Sequence, residues 1–334
     1  MNKPLAAIAL SSAAVFALAG CSQAAGSGGA ETADDSIQVV ASTNVYGDIA
    51  GRIGGDHVDV TSIISSLSQD PHEYEASASD QLTVKKAKLI VENGGGYDSF
   101  MESLRDASGS DADVVTAVEY SHDYPGAEVH DHADGEEDQH DSEPTESAGA
   151  DTHEGHDHIE GFNEHVWYDP HTMEHVAEAI AEQLIELDSA HKADYEKNLA
   201  DFQSDLAGLE DSLATIKSAH EGDKIFVTEP VPLYLAEAAG LVNVTPEAFS
   251  EAVEEGQDVP PATLLESLEL IKAGDIKVLF ANAQTGGAET TQVIDAADKA
   301  GTAVQEVTEL VPDGDTYITW MQDNITTLAG NLDR

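Results

Sequence analysis

The chain has 334 residues, of which 65 are Asp or Glu and only 14 are Lys or Arg, for a formal net charge of −51. Repulsion on this scale disfavours nucleic acid and anionic lipid as partners, while charge alone does not identify a ligand. Cys21 is the only cysteine, so no internal disulfide can form. The length beyond the leader, about 300 residues, exceeds one small core and predicts two lobes.

Residues 1–21 read as an export signal: Lys3 is a short positive start and Leu5 to Leu18 an apolar run, followed by small residues. The run is shorter than the ~20 residues a spanning helix needs, and no other segment approaches that length. Leu18-Ala19-Gly20-Cys21 is similar to a bacterial lipobox, in which Cys21 would be lipidated and anchor the chain to the membrane. Residues 22–36, small, Gly-rich and polar, predict a disordered tether.

An α/β rhythm follows. Short apolar runs predict strands at 36–43, 58–64, 88–92 and 113–117, with helices at 45–53, 79–87 and 98–105 between them. From Glu119 to Gly161 the periodicity stops, and no Lys or Arg lies between His122 and Glu160. This stretch holds His122, His130, His132, His140, His153, His156 and His158 among Asp and Glu. Too polar to pack a core, it reads as a low-affinity zinc collector or as a solvated acidic spacer.

From His171 the pattern is helical, with a break at Asp188-Ser189. A long amphipathic helix over 190–219 carries Tyr195, Leu199, Phe202, Leu206, Leu209, Leu213 and Ile216 on one stripe. Strands then recur at 225–228, 241–244, 277–280 and 303–306, with a last helix over 317–328. The predicted organisation is a first α/β lobe over 37–189 containing the 119–161 loop, a linking helix over 190–219, and a second α/β lobe over 220–334. The fold class is two Rossmann-like lobes with a cleft between them.

Three stretches carry chemistry: DPHEYE (70–75), FNEHVWYDP (162–170) and VTEPVPLYLAEAAGL (227–241). Each places His72, His165 or Glu229 beyond a strand end or just before a helix, the edge at which open α/β sheets bind ligands. On their own, His72 reads as a turn residue or a ligand, and Glu229 as a helix-start acid or a ligand.

Pro71-His72 with Tyr74-Glu75, His165-Val166-Trp167 with Asp169-Pro170, the strand ending in Glu229 with Tyr234 beyond it, and the tail VTELVPDGDTYITWM together resemble the zinc/manganese solute-binding lipoproteins of metal ABC importers. The resemblance covers essentially everything after the signal. It implies a single metal ion in the inter-lobe cleft, an ABC permease as partner and a lipid-anchored, extracytoplasmic monomer; the lipobox and the acidic bias suggest a Gram-positive surface, with a periplasmic lipoprotein the alternative. It makes His72 and His165 imidazole ligands and Glu229 the third. Zinc members usually have His at that third position and manganese members a carboxylate, so Glu229 is a departure from the zinc pattern. In the loop after the 277–280 strand, register places Gly286 where manganese members carry a fourth carboxylate. Water, a bidentate Glu229, Asn282 or Gln284 would then complete the shell, and a two-His, one-Glu set favours Zn²⁺, with Mn²⁺ the alternative. The resemblance implies a receptor and no catalysis.

Two competing readings remain. HTMEH (171–175) fits the H-x-x-E-H pattern of zinc peptidases through His171, Glu174 and His175. A surface adhesin or metal buffer would make the histidine-rich loop the main feature. No GxSxG, P-loop or GxGxxG motif occurs.

Overall fold

The computed structural model describes residues 36–72, 74–125, 159 and 161–334. The signal and lipobox Cys21, residues 22–35 of the tether, and His130, His132, His140, His153, His156 and His158 lie outside the described residues.

The first lobe is a parallel sheet of β1 (Ile37–Thr43), β2 (Val58–Ile64), β3 (Leu89–Glu92) and β4 (Asp113–Thr116), in the order β2-β1-β3-β4. The helices α1 (Asn44–Gly54), α2 (Ala78–Val84) and α3 (Phe100–Ser108) make its crossovers. The second lobe repeats the plan: β5 (Lys224–Val227), β6 (Val242–Asn243), β7 (Ile276–Asn282) and β8 (Ala303–Val307) pair in parallel as β6-β5-β7-β8. Its helices are α6 (Leu233–Ala238), α7 (Glu247–Glu254), α8 (Pro261–Ala273) and α9 (Ala288–Ala300). In chain order α4 (Pro170–Leu187) and α5 (Lys192–His220) come between the lobes, and α10 (Tyr317–Leu332) ends the chain. In each sheet the strand order reverses beside the first strand, which opens a crevice at the carboxyl ends of the strands.

The ends of these elements have local chemical causes. Asp169 caps α4 by accepting from the backbone N–H of His171 and Thr172, and Pro170 occupies the first helical position, where a missing N–H costs nothing. Ser77 and Asp80 form a reciprocal capping box on α2. The break between α4 and α5 is a single 3₁₀ turn, Ser189–His191, whose Ala190 amide donates to the Asp188 carboxylate. After β3 the chain turns through Gly94, Gly95 and Gly96, all at positive φ. A Cβ on Gly94 would sit 2.5 Å from the Thr116 methyl, so this turn requires glycine.

Packing unites the lobes. One continuous apolar core runs from the inner face of the first sheet through α1, α4, α5 and α10 to the inner face of the second. The outer faces have separate cores, one beneath α2 and α3 and one beneath α7, α8 and α9. The stripe of α5 is buried at Tyr195, Phe202, Leu206, Leu209, Leu213 and Ile216. Phe202 packs 6.1 Å from the Tyr317 ring, with the Arg52 guanidinium 6.0 Å above it. Among the described residues no helix is long and apolar enough to cross a membrane.

Phe202→Ala should therefore lower the unfolding free energy by about 3–5 kcal/mol, because it opens a cavity where both lobes meet the long helix. Leu82→Ala, at an exposed position on α2, should change it by no more than about 0.5 kcal/mol. Denaturant titration of the two variants checks both values.

Candidate metal centre

Both sheets are parallel, and segments that follow the carboxyl ends of several strands supply the polar groups of one cluster. His72 follows β2, Tyr97 follows β3, His165 lies on the long connection after β4, and Glu229 stands two residues past β5. His72 and His165 approach to 6.1 Å between ring centroids. His165 is buried and its Nδ1 lies 2.8 Å from Asn163 Oδ1. The backbone N–H of His72 donates to Asp70 Oδ1, 2.9 Å away, which pins the turn that carries it. Tyr97 packs edge-on to His72 at 4.9 Å and close to Trp167 at 4.6 Å, so an aromatic wall backs both imidazoles.

Glu229 is buried, and it does not cap a helix: α6 starts four residues later. Its Oε1 accepts from the Thr285 hydroxyl and its Oε2 from Asn282 Nδ2, at 2.8 Å. The same Asn282 amide donates to Oε1 of Glu309 at 2.6 Å. Glu309 is a carboxylate that sequence reasoning missed. Its Oε2 accepts from Tyr97 OH at 3.2 Å and stands 4.0 Å from His72 Nε2. Gln284 Oε1 accepts from the Glu309 backbone N–H at 2.7 Å. Asn282 and Gln284, expected as possible members of the metal shell, thus use their amides to hold Glu229 and Glu309 in place.

The loop after β7 carries Gly286 at the position where a fourth carboxylate was sought, and the acid that stands beside His72 follows β8 instead. A signal was available: Val227-Thr228-Glu229 and Val307-Thr308-Glu309 are the same tripeptide at two strand ends of one sheet.

A second acid was also missed. Glu254, the last residue of α7, reaches over the cleft until its Oε1 is 3.8 Å from His165 Nδ1. Ligand-capable atoms of His72, His165 and Glu254 all lie within 4.8 Å of one another. Only tertiary packing brings α7 there, so no local pattern marked this Glu among the other acids of its segment.

Electrostatics make the cluster unusual. Glu309 is pushed up to about 8 by burial first, then by the negative charges of Glu229 and Asp70. Burial also raises Glu229, against the pull of Thr285 and Asn282. Glu254 moves strongly upward through burial and the repulsion of Glu164, Glu229 and Glu309. Buried like charges of this kind are held neutral in part, or they are met by a cation. Beside the cluster a cavity of about 490 Å³, lined by Asp70, His72, Glu254, Glu255, Thr285 and Glu289 among others, opens the site to solvent.

The remaining sequence-derived residues lie elsewhere. Tyr74 donates to Asp80 at 3.0 Å and packs on Phe100, so it braces α2. Tyr234 OH donates to the Asn163 carbonyl at 2.8 Å, which ties the second lobe to the segment before His165. His122 is exposed, with Nδ1 3.8 Å from Asp169 and its ring near Tyr234. His171, Glu174 and His175 sit on α4, where Glu174 is held by Gln203 of α5 at 3.1 Å.

Known proteins share this plan. Residues 39–331 match the family model described as ZnuA, zinc-uptake complex component A, periplasmic. The chain is 26% identical over 335 residues to the manganese ABC transporter substrate-binding lipoprotein scaA of Streptococcus gordonii, covering 96% of each. It is 28% identical over 289 residues to the iron ABC transporter substrate-binding lipoprotein MtsA of Streptococcus pyogenes serotype M1, covering 81% of this chain and 80% of that one. Its fold matches the periplasmic zinc-binding protein TroA of Treponema pallidum with a TM-score of 0.67 at 18% identity, over 90% of this chain and 100% of that one. With a family match running from the first strand to the last helix, the chain belongs to the ZnuA family.

Proposed function

We propose that the protein is the extracytoplasmic receptor of a metal ABC importer, and that it takes one divalent transition-metal ion into the inter-lobe cleft. The proposed ligands are His72 and His165 from the first lobe and Glu229 and Glu309 from the second, with Glu254 closing over His165. One observation carries this reading: two imidazoles and several carboxylates, all buried or partly buried, stand together, and the charges acting on Glu309 and Glu254 are themselves carboxylates. A divalent ion is the group that would turn this repulsion into attraction.

The donor set also bears on which ion is carried. Two imidazoles and a single carboxylate alone would favour Zn²⁺. With Glu309 and Glu254 beside Glu229 the site is rich in carboxylate oxygen, which suits Mn²⁺ or Fe²⁺, while two imidazoles still admit Zn²⁺. The relatives named for manganese and iron support the oxygen-rich reading. The zinc reading keeps support from the histidine-rich sequence between His122 and His158. Relatives named as lipoproteins support Cys21 as the lipid-bearing residue and an ABC permease as the partner. Family members are substrate-binding receptors, and the proposed work of this one is capture and release.

A competition titration with Mn²⁺ and Zn²⁺ tests the reading. One tight site should appear. His72→Ala and Glu309→Ala should each weaken it by more than about a hundredfold, since each removes a donor, whereas Asn282→Ala should cost roughly 10–100-fold as a supporting group. A tight site indifferent to His72 and Glu309 would overturn the assignment.

The metal-free protein should also respond to pH in a set direction. The Glu309 carboxyl rises from an ordinary value of 4.5 to about 8 in the folded state. Its contribution to stability is present in full below the lower value and is lost as pH rises through the upper one. The thermal midpoint of the metal-free form should fall between about pH 5 and about pH 8.5, and Glu309→Gln should flatten that fall. Added metal should oppose it, because binding expels the proton.

A further inference from the structure

The HTMEH stretch is not absorbed by the cleft, and the structure shows what surrounds it. His171 and His175 are four residues apart on α4, so they share one helix face, and their ring centroids are 5.0 Å apart. The facing helix α5 presents Gln203 and Glu210, seven residues apart and therefore also on one face. Glu210 Oε1 is 3.9 Å from His171 Nδ1. Gln203 Nε2 donates to Glu174 Oε1 at 3.1 Å and to Glu178 Oε1 at 2.9 Å, which ties both acids of α4 to α5.

We propose that His171 and His175 of α4 and Glu210 of α5 form a second divalent-metal site, open to solvent, that takes an imidazole-preferring ion such as Zn²⁺ and staples α4 to α5. Two imidazoles on one helix face are a compact chelate, and a carboxylate from the neighbouring helix supplies a third donor; water completes a tetrahedral shell. The His171–Glu210 pair, at 3.9 Å, is already close to the spacing of two donors on one ion, and metal binding would draw the His175 ring, whose Nδ1 lies 3.2 Å from Glu178 Oε2, toward that pair. Burial raises the Glu210 carboxyl, His171 pulls it down, and Glu174, Asp169 and Asp211 oppose that pull, so a cation is favoured there. The ligand set resembles a hydrolytic zinc site in kind, but Glu174, the residue a peptidase would use as base, is engaged by Gln203.

The two proposed sites differ in chemistry. The cleft is rich in carboxylate, and the helix-pair site is mainly imidazole and would hold Zn²⁺ in the presence of Mn²⁺. Occupancy would fix α4, which begins five residues after His165, against the long helix.

Zinc binding to the purified full chain tests this independently of the cleft. In a His72→Ala/His165→Ala background, equilibrium dialysis against Zn²⁺ with excess Mn²⁺ should show bound zinc and a zinc-dependent rise in the thermal midpoint. Adding His171→Ala and His175→Ala should remove one zinc per chain and abolish that rise. Glu210→Gln should weaken binding without lowering the limiting stoichiometry. His171→Gln/His175→Gln, which keeps size and polarity, should behave as the alanine pair and guards against a folding defect. Unchanged stoichiometry and an unchanged thermal response in both double replacements would overturn the proposal and leave the zinc with the histidines at 130–158. The cleft assignment is read separately, from His72→Ala alone, so failure of either leaves the other standing.

Discussion

The repulsion among buried carboxylates is the constraint around which the rest of this molecule is arranged. Glu229, Glu254 and Glu309 are drawn into one place with two imidazoles, and each is raised by burial before anything else acts on it. Such an arrangement is unfavourable for folding taken alone. It persists because neighbouring groups are committed to it. One Asn282 amide bridges two of the acids, Thr285 holds the first, and Tyr97 holds the third. The ligands are also presented from a rigid base. The glycine turn that aims Tyr97 is tied by the Asp98 carboxylate accepting from two consecutive backbone amides at 2.6 and 2.8 Å.

That base depends on how the two sheets are joined. Their inner faces share one apolar core, and polar ties cross the same boundary. Asn44 pairs with the backbone of Val311 in both directions, at 2.7 and 3.1 Å. The hydroxyls of Tyr168 and Tyr317 donate to the carbonyls of Thr308 and Trp167. Thr308 precedes Glu309, and Trp167 lies two residues beyond His165. Packing at the back of the cleft therefore sets the spacing of ligands at its mouth, and a change in the core would be felt as a change in ligand distance.

Much of the fold was legible because each element announces itself locally. Alternation marks β2, which begins and ends at Val58 and Ile64 as expected, and the apolar stripe from Tyr195 to Ile216 marks α5. Elements with weaker local signals came out differently. The strand expected over 241–244 is two paired residues, because it lies at a sheet edge and has a ladder on one side only. The 98–105 helix begins instead at Phe100, since Asp98 is used in the turn before it. In the site, His72, His165 and Glu229 could be read from strand-end motifs. Glu309 carries a legible mark in the repeated Val-Thr-Glu of 227–229 and 307–309, and Glu254 carries no local mark.

By itself the sequence determined the alternation of strands and helices, the long amphipathic helix, and which strand ends carry histidine and acid. These follow from periodicity, capping chemistry and motif order, all properties of neighbouring residues. Only the tertiary structure decided that Glu254 faces His165, that Asn282 is shared by two acids, and that Glu210 meets the His171 and His175 pair. Those contacts join residues from different elements, and their partners are chosen by sheet order and helix packing. A ligand set drawn from five separate loops and helices is a property of the closed core, and no stretch of the chain contains it.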